Sequence, residues 1–89
     1  MPYIPQADRG KFEYAVQFLE TAVRLHGLNN GELNYLMTVL AKLYLAKHGK
    51  SYNTLSDVVK AFECAKLEFY RCVVAPYEQD KKDTNGDVY

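Results

Sequence analysis

The stretch from Leu55 to Tyr77 carries more apolar side chains than one small helical core needs. Leu55, Val58, Val59, Phe62, Ala65, Phe69, Cys72 and Val73 recur at the spacing of one helix face. Leu67, Tyr70, Val74 and Tyr77 make a second stripe on another face of the same helix. A helix with one apolar stripe packs against its own domain, whereas one with two stripes asks for a second partner. The pattern predicts a helical chain that binds or self-associates. The second stripe is its candidate oligomer or partner surface.

The rest of the chain reads as helix broken by short stops. Between Gln6 and His26, the residues Phe12, Ala15, Val16, Leu19, Ala22, Val23 and His26 follow the helical repeat. Gly10 weakens the start by about 1 kcal/mol relative to alanine, and Gly27 stands where a glycine stop is expected. A second helix is predicted from an Asn29 or Asn30 cap, with Glu32 suited to the positive end of its dipole. Leu33, Leu36, Met37, Leu40, Leu43 and Tyr44 form its stripe, and Gly49 ends it. Lys50 to Thr54 is a polar loop rich in capping residues. The third helix follows and is expected to be the longest, with Glu68 and Arg71 spaced to pair on its surface. Pro76 should kink or end it, because proline lacks an N–H and clashes with the preceding turn.

Two flanks complete the organisation. Residues 1–5 read as an extended arm fixed by Pro2 and Pro5, with Tyr3 and Ile4 lying against the helical body. Residues 78–89 read as a polar tail with an Asn-Gly turn signal, a resumed turn near Tyr77 to Lys82, and an apolar end at Val88 and Tyr89. The expected fold is all-α: a single domain over residues 1–89, a small bundle of three main helices with an N-terminal arm and a polar C-terminal tail.

Composition narrows the function classes. Eighty-nine residues allow one modest core, with extra stability drawn from long helices or association. Eleven basic residues balance eleven acidic ones. A nucleic-acid polymer reader normally shows a basic excess, so none is expected as a partner. No run approaches the length of a membrane span, and the opening Met1-Pro2-Tyr3-Ile4-Pro5 lacks the regions of a signal peptide. No membrane partner is expected, and the predicted location is the cytoplasm.

The chemistry-bearing residues do not assemble into a motif. Cys64 and Cys72 would lie about 12 Å apart along one helix, too far for a disulfide. They read as two buried, reduced thiols. No metal site is expected, since no histidine follows either cysteine at ligand spacing. No nucleophile elbow, phosphate loop or dinucleotide fingerprint is present. The chain is predicted not to be an enzyme and to need no cofactor. Its eight tyrosines are the other distinctive feature, because tyrosine favours interfaces. Tyr35, with Lys66 and Arg71, is the candidate set of ligand contacts: a stacking ring and two cations for a phosphate.

Four segments carry a resemblance: the opening Met1-Pro2-Tyr3-Ile4-Pro5-Gln6; Gly31-Glu32-Leu33-Asn34-Tyr35-Leu36; the run from Leu67 to Glu78; and the ending Asn85-Gly86-Asp87-Val88-Tyr89. Together they resemble a family of short proteins encoded by tailed bacteriophages and prophages. Cys72 departs from that pattern, where a second basic residue is usual. The resemblance implies a bacterial host cytoplasm and an accessory role, and it transfers no catalytic residue. The leading expectation is a homo-oligomeric protein that binds and modulates a host or antiviral-defence component. The alternatives are an oligomeric sponge for a small signalling nucleotide and a structural or assembly protein of the phage.

Overall fold

A computed structural model describes residues 2–89. Two short 3₁₀ turns, Gln6–Asp8 and Gly10–Phe12, lead into helix α1 (Glu13–His26). Helices α2 (Asn30–His48) and α3 (Tyr52–Phe69) follow, then a π turn at Tyr70–Val74 and helix α4 (Ala75–Asn85). The chain is therefore all-α with three main helices, as the periodicity predicts. The late start of α1 agrees with the weak helix propensity of the Gly10 region.

The two connections share one local design. Each is a glycine stop, one free residue and a capping residue. Gly27 and Gly49 take φ of 74° and 82°, a region open to glycine at little cost, and donate their N–H groups to Val23 and Leu45. Asn29 and Glu32 then form a reciprocal capping box at the start of α2: Glu32 N–H donates to Asn29 Oδ1 at 2.8 Å and Asn29 N–H to Glu32 Oε1 at 2.9 Å. Ser51 and Thr54 repeat the arrangement at α3, and the Thr54 hydroxyl also donates to the Gly49 carbonyl at 2.7 Å.

Pro76 does not end the third helix. The π turn precedes it, and the Ala75 N–H reaches back five residues to the Tyr70 carbonyl. This wider turn admits the proline ring at the start of α4, where a missing N–H costs little. Helical structure consequently runs from Tyr52 to Asn85, and most of the expected polar tail is helix, with only Gly86–Tyr89 beyond it. The inserted residue also resets the faces. Positions eight apart on an α-helix differ by about 80°, and one extra residue brings them nearly into line. The Tyr70 hydroxyl accordingly donates to Glu78 Oε1 at 3.2 Å.

The helices form an open bundle. Only α2 and α3 approach closely, while α1 has no Cα within 8 Å of either. Tyr44 on α2 donates to Asp57 Oδ2 on α3 at 2.9 Å and stacks on His48 at 4.4 Å between ring centroids. At the far end the arm closes the frame, with the Tyr3 hydroxyl donating to Glu68 Oε1 at 2.8 Å. Among the described residues no side chain is buried. Leu36, Val39, Leu45, Val58 and Val74 are half-buried at most. The cysteines are corrected accordingly: both are free, but Cys64 on α3 is half-buried and Cys72, in the π turn beside Tyr3 and Glu68, is exposed.

The caps act through whatever state is folded. Asn29→Ala should lower unfolding free energy by about 1 kcal/mol, read by denaturant titration at fixed protein concentration. An unchanged midpoint would show that the capping box contributes nothing.

Candidate functional site

Three surfaces gather the residues of interest. The first is the groove between α2 and α3, about 600 Å³ in volume. Met37, Leu40 and Phe62 are among its wall residues and Ala41, Ala61 and Ala65 leave room for close approach. Asp57 is its one charged lining residue and is already held by Tyr44. That hydrogen bond raises the Tyr44 phenol above its ordinary range.

The second surface is the corner where the arm meets the end of α3. Glu68 is its centre, with its side chain only 13% exposed. One carboxylate oxygen accepts from Tyr3; the other accepts from Arg71 Nη2 at 2.6 Å. Cys72 Sγ lies 3.6 Å from both the Tyr3 hydroxyl and Glu68 Oε1. The hydrogen bond from Tyr3, then the Arg71 charge, hold the Glu68 carboxyl below its usual value against the opposing effect of desolvation. The contacts with Cys72 and Glu68 push the Tyr3 phenol well above its usual range. The arm thus lies against the body as expected, but through its polar tip: the Tyr3 residue remains 62% exposed.

The third surface is the second stripe of the last helix. Leu67, Tyr70 and Tyr77 are exposed at 53%, 52% and 60%, and Val74 is half-buried. The π turn falls within this stripe, so its upper and lower parts do not follow one α-helical line. Glu78 beside Tyr70 raises the Tyr70 phenol by its charge first and by its hydrogen bond second.

The candidate ligand contacts are not brought together within one chain. Tyr35 lines a recess at the α1–α2 corner with Leu19, Val23 and Leu28. Lys66 pairs with Glu63 at 3.3 Å, and Arg71 with Glu68. Both cations already answer a carboxylate. The Glu68–Arg71 pair follows directly from the i, i+3 spacing. Sequence reasoning missed the bonds from Tyr3 to Glu68 and from Tyr44 to Asp57, which join segments that no periodicity relates. It also missed Tyr70 to Glu78, which needs the π turn. Among the described residues, no group of three or more histidine, cysteine or acidic side chains converges as a metal site would. No helix there is long and apolar enough to cross a membrane.

The sequence profile of a family described as a domain of unknown function (DUF6899) matches residues 1–88, and the chain belongs to that family. No curated protein and no solved structure matches it.

The arm contact has a defined pH window. The lowered Glu68 carboxyl contributes stability above the ordinary carboxylate range and loses it as pH falls through its lowered value. The raised Tyr3 phenol contributes at neutral pH and loses it as pH rises through its raised value. In the Tyr3→Phe variant the Glu68 titration midpoint, followed by carboxyl carbon NMR, should move up toward the ordinary value. Equal midpoints in both proteins would show that Tyr3 does not hold Glu68.

Proposed function

We propose that this chain is a non-enzymatic, phage-type binding protein that works as a homo-oligomer on a host or antiviral-defence component in the bacterial cytoplasm. The observation that carries the reading is the apolar surface left bare. Phe12, Leu19, Leu40, Phe62, Leu67 and Tyr77 are all exposed to 38–62% in one chain. Apolar area of this kind is found where a protein meets another protein. The polar groups that do assemble, around Glu68, are tied to one another and anchor the arm. The phage context rests on the four segments that resemble phage-encoded proteins.

Leu67, Tyr70, Val74 and Tyr77 remain the proposed binding stripe. Tyrosines with an apolar ring and a free or lightly held hydroxyl suit a surface that is wet in one state and covered in another. The nucleotide-sponge reading ranks second. It needs Lys66 and Arg71 to leave Glu63 and Glu68, or a neighbouring copy to complete a pocket around Tyr35.

Native mass spectrometry of protein purified gently from a bacterial host tests the proposal. The expected result is an oligomer without small-molecule mass, which gains the mass of a host protein when lysate is added. Extra mass of a few hundred daltons in the oligomer would favour the nucleotide reading instead. A monomer would contradict both.

A further inference from the structure

We infer that the α2–α3 groove and the apolar stripe of α1 are the seat of a second copy of this chain. The inference deepens the proposed homo-oligomer by assigning the face it uses.

The surface area points to a subunit. One chain exposes 8109 Å². A folded monomer of its 10.2 kDa mass exposes about 5,300 Å², so about 2,800 Å² is in surplus. Over a pair of chains that is about 5,600 Å², at the upper end of the total area that permanently associated subunits bury. The dimensions agree: the radius of gyration is 16.8 Å, against about 12 Å for a compact domain of this length.

The α1 stripe and the α2–α3 groove both carry exposed apolar side chains. Phe12, in the turn before α1, and Val16, Leu19 and Val23 on α1 follow the i, i+4, i+7 spacing and stay 37–52% exposed. No Cα of α2 or α3 lies within 8 Å of α1, and α2 side chains reach only its last turns, at the recess with Leu19 and Val23. The groove between α2 and α3 offers the complementary shape. Ala61 and Ala65 let a helix backbone approach, and Met37, Leu40 and Phe62 supply walls for its side chains. Its lone charge, Asp57, is exposed and accepts one hydrogen bond from Tyr44 near the α2–α3 connection, so the pairing leaves this carboxylate at the wet rim of the groove.

The occupant is a second copy because each chain carries both halves of this match, the bare stripe and the alanine-lined groove. An isologous two-fold pairing covers all of them at once. The formal net charge of zero opposes no such pairing. The outer stripe at Leu67, Tyr70 and Tyr77 then stays free for the partner of the proposed function.

The test places the photo-reactive residue benzoylphenylalanine at Phe62 (Phe62→benzoylphenylalanine). Chains of natural and heavy isotope composition are mixed by unfolding and refolding, irradiated and digested. The expected product links Phe62 of one isotope to residues 12–26 or 37–65 of the other. Links confined to one chain, or to residues 67–77 of the other, would overturn the inference. The companion variant Ala61→Arg alters a residue exposed in the single chain, and it should reduce the mass in sedimentation to one chain. An oligomer of unchanged mass would also overturn the inference. An intact oligomer with the wrong cross-links leaves the proposed function standing, whereas a monomeric natural protein removes both.

Discussion

Ordering this chain costs backbone and side-chain entropy at nearly every residue, and the burial that offsets such a cost is incomplete within one copy. Fixing a residue costs about 1–2 kcal/mol, and the principal return is apolar area removed from water, about 25 cal/mol per Å². Yet no described side chain is buried, and the helices touch mainly at corners. Caps, glycine stops and three tyrosine–carboxylate bonds define where each helix begins, ends and meets its neighbour. Each contributes little, and short isolated helices are marginal in water. On the proposed reading the chain is a subunit whose stability depends on what covers its apolar faces.

Much of this was legible in the residues. Gly27 and Gly49 mark helix ends because a positive φ suits glycine alone among the residues there, and Asn29 and Ser51 mark starts because their side chains satisfy free N–H groups. The second apolar stripe on Leu55 to Tyr77 was legible as surface that one chain leaves bare: Leu67, Tyr70 and Tyr77 are exposed. Other features were not legible for definite reasons. Pro76 reads as a stop because a sequence pattern does not show the preceding turn widening by one residue. The expected tail from Glu78 is helix through Asn85 because it continues a helix already nucleated. The cysteines read as buried because helical periodicity gives the face of a helix, not whether anything packs on that face.

The candidate functional surfaces follow the same division. Local pairings such as Glu68 with Arg71 come straight from spacing. The contacts of Tyr3 with Glu68 and of Tyr44 with Asp57 depend on how helices are placed, and only the fold shows them. Their effect is positional: they tie the arm to the end of α3 and α2 to the start of α3. Lys66 and Arg71, attractive in sequence as anion contacts, spend their charge on neighbouring carboxylates. What the chain presents outward is therefore apolar and aromatic surface, the chemistry of protein contact more than of small-anion capture.

The central claim is that folding and self-association are one event. Thermal unfolding followed by circular dichroism over a hundredfold range of protein concentration tests it most directly. If a two-fold pair is the folded unit, the midpoint should rise by about 3–5 °C for each tenfold increase. A midpoint independent of concentration, in a protein that weighs as a single chain, would contradict the account.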